Sequence, residues 1–170
     1  MFNYEDDEDD YEEKPDVQEL PIYQKGREIL DVVRQISELF PEDNNALQAF
    51  KWQMISDAAQ LTVKVAGAHA VDLYDLKMEA ATIIRKAAHD LMLSNYSLED
   101  FGFEEVEYFQ IVRNLIEEYR LLFIDWVASF DKWDYVIDRW GLFNPPGVTP
   151  FDKDPDEGIP FNPDDFFYNL

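Results

Sequence analysis

Residues 47–68 read LQAFKWQMISDAAQLTVKVAGA, and the spacing of their apolar members decides the fold. Leu47, Phe50, Met54, Ala58, Leu61, Val65 and Ala68 recur in steps of three and four, the period that places side chains on one face of an α-helix. Strand alternation would require steps of two, so the stretch is a helix with one apolar stripe. Gly67 offers a stop at its end.

The same pattern extends on both sides. Ile22, Gly26, Ile29, Val33, Ile36 and Phe40 form a first stripe between Pro21, suited to a first helical turn, and Pro41, which ends the run. His69, Leu73, Leu76, Ala80, Ile83, Ala87 and Leu91 form a third, broken by SNYSLEDFG at 94–102. The fourth is the longest: Phe109, Val112, Ile116, Tyr119, Phe123, Trp126, Phe130, Trp133, Ile137 and Trp140, stopped by Gly141 and the Pro145-Pro146 pair. Short connections between four amphipathic helices predict an all-α, antiparallel up-down four-helix bundle with a long fourth helix. Beside the main stripe of that helix runs a second apolar row, Tyr108, Ile111, Leu115 and Leu122. With Trp133 and Trp140 beyond the reach of the neighbouring helices, it marks a surface for bundle packing or for a homo-oligomer.

Composition sets the outer limits. The chain has 170 residues, enough for one core without metal or disulfide support, and no cysteine, which excludes thiolate chemistry and fits a reducing, cytoplasmic setting. Its formal charge is -23. Such a charge repels phosphate backbones and anionic lipid, so direct nucleic-acid binding is not expected and no membrane association is either. Charge concentrates at the ends. Residues 1–21 hold ten acids and one lysine, and residues 141–170 hold six acids and one lysine. The first segment has no periodicity and predicts a disordered acidic tail. The second, GLFNPPGVTPFDKDPDEGIPFNPDDFFYNL, has six prolines and predicts an extended tail rather than helix or strand. The domain reading is therefore tail 1–21, bundle 22–140, tail 141–170.

Motifs for chemistry are weak. DKDPDEG at 152–158 starts like a calcium loop, but Glu157 takes the place of the turn glycine and Pro163 that of the bidentate glutamate. His69 and His89 lack the glutamate three residues earlier that a di-iron bundle requires. Adjacent carboxylates such as Glu117 and Glu118 result from the abundance of acids. No nucleophile, phosphate-binding or dinucleotide motif occurs, so the expectation is a protein without enzymatic activity, cofactor or metal. Bases are scattered, and Arg34, Lys86 and Arg113 each have an acid at helical spacing, Asp31, Asp90 and Glu117. They read as salt-bridged surface.

The ends carry what is left. Phe143, Phe151, Phe161, Phe166, Phe167 and Tyr168 lie among acids in one, Phe2, Tyr4 and Tyr11 in the other. Acids give long-range attraction to a basic protein surface, of the kind a polymerase or a ribosome component offers, and aromatic rings give the specific hold. The alternative for the C-terminal rings is folding back on the bundle itself.

Four segments of the middle, EILDVVRQISELFP (28–41), QMISDAAQLTVKVAGA (53–68), LYDLKMEAATIIRKAAHDLM (73–92) and EYFQIVRNLIEEYRLLF (107–123), resemble the four-helix-bundle family of 23S rRNA intervening-sequence proteins. Phe40-Pro41 matches that family's first-helix ending, and the Ala-rich run closing at Val65–Ala68 approximates its second-helix signature. The resemblance implies a small, often oligomeric bundle without enzymatic activity. Related accessory proteins of diversity-generating retroelements are basic and bind a reverse transcriptase and nucleic acid. This chain has the opposite charge. Two functions are in view: an adaptor or regulatory subunit that inserts acidic-aromatic tails into a basic groove of a nucleic-acid-handling machine, or a self-assembling scaffold that contacts RNA or an RNA-handling enzyme through its helices.

Overall fold

A computed structural model describes residues 14–154. These residues form four α-helices: α1 (Pro21–Ser37), α2 (Asn45–His69), α3 (Tyr74–Asp100) and α4 (Phe109–Ala128). No strand occurs among the described residues. α1 packs on α2 and α4, and α3 packs on α2 and α4, so the four enclose one core. No described helix is long and apolar enough to cross a membrane.

Helix starts obey local chemistry. Pro21 opens α1, where a missing N–H costs nothing. Asn44 caps α2: its side-chain oxygen accepts from Leu47 N–H at 3.1 Å, and its amide nitrogen donates to the Phe101 carbonyl at 2.8 Å, joining two helix ends. The predicted stripes of α1 and α2 are the buried ones: Ile29, Val33, Leu47, Met54, Ala58, Leu61 and Val65 are fully enclosed. Each such aliphatic side chain contributes about 1.5–3 kcal/mol of burial. Gly67 does not stop α2, which continues to His69.

α3 departs from the sequence reading at both ends. His69 belongs to α2, and α3 starts at Tyr74. Its buried face is Tyr74, Ala81, Ile84, Ala87 and Leu91: Ala87 and Leu91 are as predicted, but before them the face is turned by one residue, so Ala81 and Ile84 replace Ala80 and Ile83 and Leu76 is exposed. The SNYSLED run is helical because Leu98 carries the apolar face of Leu91 on into the core, and Ser94, buried between them, satisfies its hydroxyl on the Asp90 carbonyl at 3.0 Å. The stop comes at Gly102, whose φ of 79° suits glycine. There Gly102 N–H donates to the Glu99 carbonyl and Phe103 N–H to the Leu98 carbonyl, and Phe103 meets Phe40 edge to face at 4.8 Å.

The predicted long fourth helix is not formed. α4 ends at Ala128. Ser129 returns its hydroxyl to the Trp126 carbonyl at 2.6 Å, and Asp131 accepts from Trp133 N–H at 2.9 Å. Both side chains give the backbone a partner that helical bonding would otherwise supply, and this ends the helix. Phe130 and Ile137 are nevertheless buried, Phe130 against Tyr74 and Ala81 in a second small cluster. Apolar spacing marked Phe130 and Ile137 rightly as buried, but not Trp133 and Trp140, which are exposed, nor the backbone that carries all four.

Part of the segment read as a free N-terminal tail also packs. Leu20 packs against the core, Pro15 offers its carbonyl to His69 Nε2 at 2.8 Å, and Lys14 pairs with Asp72.

Candidate functional site

The strand-free segment after α4 folds into a hydrogen-bonded knuckle at the start of α3. Two bonds dock it there: Tyr74 N–H donates to the Asp134 carbonyl at 2.7 Å, and Val136 N–H donates to Asp75 Oδ1 at 3.0 Å. Asp138 organises the turn from Trp140 to Asn144. Its Oδ1 accepts from Trp140 N–H at 2.8 Å, and its Oδ2 accepts from the N–H groups of Leu142 and Phe143 at 2.8 and 2.9 Å. These backbone donors, Phe143 first and Trp140 next, hold the Asp138 carboxyl below the usual carboxylate range. Asn144 closes the ring, accepting from Asp138 N–H at 2.8 Å and donating to the Asp138 carbonyl at 2.9 Å.

A second layer ties the knuckle to residues 149–154. Arg139 donates to the carbonyls of Pro150 and Asp152 at 2.9 and 2.7 Å and pairs with Asp154 at 2.9 Å. Asp152 accepts from both the N–H and the hydroxyl of Thr149, each at 2.8 Å, and its carboxyl is held below the usual range by them. Gly141 sits at φ 75°, and a Cβ there would stand 2.7 Å from Pro150 Cγ, so the close approach needs glycine.

This polar framework presents apolar side chains to solvent. Trp133 is 90 % exposed, Trp140 91 %, Leu142 75 % and Phe151 94 %. Single exposed apolar residues are ordinary, but two tryptophans and a phenylalanine on one braced loop are the composition of an interface centre. The backbone cannot collapse to hide them, because its own donors are committed to Asp138 and its neighbours.

The candidate residues separate accordingly. Trp133, Trp140 and Phe151 are each exposed on the knuckle, whereas Phe143 is half-buried beside Asp138. The segment 141–154 is turn-rich and pinned rather than extended. The second row of α4 divides: Leu115 is buried and Leu122 packs on the core, while Tyr108 and Ile111 are about half exposed. Phe2, Tyr4, Tyr11, Phe161, Phe166, Phe167 and Tyr168 lie outside the described residues. Asp138, Arg139, Leu142 and Asn144 went unnoticed in the sequence. A signal was there, since an Asp three residues before a Gly and six before an Asn is turn chemistry, but the 3-4 spacing of the rings overrode it.

The ion pairs read from spacing hold in part. Arg34 pairs with Asp31 at 3.9 Å and Lys86 pairs with Asp90. Arg113 does not pair with Glu117, which turns instead to Arg120 at 2.9 Å. Among the described residues no group of three or more His, Asp or Glu side chains is placed to hold a metal ion. Comparison of the chain with protein-family models, with curated proteins and with solved structures returned no match.

Proposed function

We propose that this protein is a non-enzymatic adaptor or regulatory subunit of the cytoplasm, an up-down bundle that holds the 131–152 knuckle as its docking element. The observation that carries the reading is the exposure of Trp133, Trp140 and Phe151 on a backbone held by side chains, Asp131 at Trp133, Asp138 at Trp140 and Arg139 beside Phe151. A braced loop loses little entropy on binding, so burial of its rings goes largely into affinity. The charge of -23 selects the partner: a basic protein surface with apolar pockets, such as nucleic-acid-handling machines present, approached by electrostatic steering. The acidic charge concentrated at the two ends adds to that attraction.

The test is comparative capture. Full-length protein and a Trp133→Ser/Trp140→Ser/Phe151→Ser variant are used as bait in cells of the source organism, and the captured protein is then purified and titrated with each. Loss of a central tryptophan at an interface costs about 2 kcal/mol or more, so the triple variant binds at least about 100-fold more weakly. Equal affinity overturns the reading.

A second reading, a self-assembling scaffold related to the intervening-sequence proteins and contacting RNA or an RNA-handling enzyme through its helices, draws on the half-exposed Ile111 of α4 and Tyr108 just before it. It predicts an oligomer in solution and RNA affinity that falls steeply with salt.

A further inference from the structure

Away from the knuckle, α3 and α4 part to leave an open groove of about 370 Å³. Its floor is apolar, with Ala88 and Met92 from α3 and Ile116 and Phe123 from α4. Around it stand Arg85, Arg113 and Arg120, half of the six arginines in the chain, against one acid, Glu117. In a protein so acidic this is a local reversal of charge.

The rim is also incompletely paired. Arg120 is engaged by Glu117, but no ion pair forms at Arg85 or Arg113 among the described residues. The Nε of Arg113 is buried and has no hydrogen-bond acceptor among the described residues. A buried guanidinium N–H without an acceptor is costly, and a carboxylate is the partner whose geometry and charge match it. The groove thus asks for apolar rings with carboxylates beside them.

The chain contains such a ligand. Residues 155–170 carry four acids, no base, and the run Asp164-Asp165-Phe166-Phe167-Tyr168. We propose that this run occupies the α3–α4 groove of its own molecule, with the rings on Met92, Ile116 and Phe123 and the aspartates on Arg85 and Arg113. The anchor point permits it. Asp154 is tied to Arg139, and the same loop is bonded to Asp75 at the start of α3. Arg85 lies ten residues further along that helix, about 15 Å. The nine residues 155–163 span up to about 30 Å when extended. The N-terminal residues 1–13 suit the groove less well, since eight acids separate and outnumber three rings.

The docked run acts as a latch that fills the gap between the two helices and supplies the missing acceptor of Arg113. This reading does not depend on the adaptor function, because the exposed rings of the knuckle, Trp133, Trp140 and Phe151, do not enter the groove.

The full chain lends itself to a direct test, since it has no cysteine. A spin label on Asn169→Cys in isotope-enriched protein broadens methyl resonances near the run. The expected result is loss of most of the intensity at Ala88, Met92 and Ile116, with Val63 on α2 unchanged. Phe166→Ser/Phe167→Ser, which leaves every described residue intact, restores the intensity, as does Arg85→Gln/Arg113→Gln. Three results overturn the proposal: unbroadened groove methyls, broadening that persists in the Phe166→Ser/Phe167→Ser chain, or broadening seen only when labelled, unenriched chain is mixed with enriched, unlabelled chain. The last would place a neighbour's segment there.

Discussion

Gly26 of α1 lies so close to Leu61 of α2 that a Cβ on Gly26 would stand 2.8 Å from the Leu61 carbonyl oxygen. The same carbonyl receives the hydroxyl of Tyr119 from α4 at 2.9 Å. Three helices therefore meet at one backbone atom, and the glycine is what lets two of them approach.

Gly26→Ala tests that approach. Alanine favours helix over glycine by about 1 kcal/mol, but the added methyl also meets Thr62 Cγ2 at 3.0 Å, and neither neighbour is the free end of a long side chain. Overpacking at such a site costs about 1–3 kcal/mol. The net expectation is a lower Tm in thermal unfolding, and a rise would show that α1 can move away from α2 without loss.

Tyr119→Phe removes the buried hydroxyl and costs about 1 kcal/mol at neutral pH in denaturant titration. Its effect reverses in alkali. Burial pushes the Tyr119 hydroxyl far above the usual phenol range, so between the unfolded value near 10 and the folded one only the unfolded chain releases this proton. Stability then falls by up to about 1.4 kcal/mol per pH unit above pH 10. Phenylalanine lacks this proton, so the variant declines less steeply, and parallel alkaline curves would contradict the assignment.

Asp57 on α2 is half-buried, and desolvation, seconded by the charge of Asp90, raises its carboxyl above the usual carboxylate range. A raised folded value means that stability is lost as pH rises through it. Asp57→Asn is thus more stable than the wild type at pH 7, by a margin that closes as pH falls towards 4, readable as Tm against pH.

At the knuckle, Asp138→Ala removes the acceptor of three backbone N–H groups. The expected outcome is a weaker near-UV circular dichroism signal from the tryptophans and faster proteolysis within 139–150, with helix content unchanged. Because the Asp138 carboxyl is held low, its contribution is present above pH 4 and is lost as acid titrates it, so wild-type protein acquires the same protease sensitivity below that pH. Gly141→Ala, which drives a Cβ into Pro150, gives the same phenotype at neutral pH.

Leu47, Met54, Leu61 and Val65 show how much the sequence decided alone. Their period fixes the helix and its buried face, because only one side of a rod can be hidden at that spacing. The acidity of the chain was equally plain, since it is a property of composition. Where the fourth helix ends was not, because Trp133, Ile137 and Trp140 keep helical spacing while Ser129 and Asp131 bond to the backbone and release it. Spacing cannot separate a ring that enters the core, as Phe130 does, from rings such as Trp133 and Trp140 that a turn points outward. The basic groove was hidden for a related reason. Arg85, Arg113 and Arg120 are scattered along the chain, and only the packing of α3 beside α4 brings them to one place and leaves Arg113 without the partner that its spacing promised.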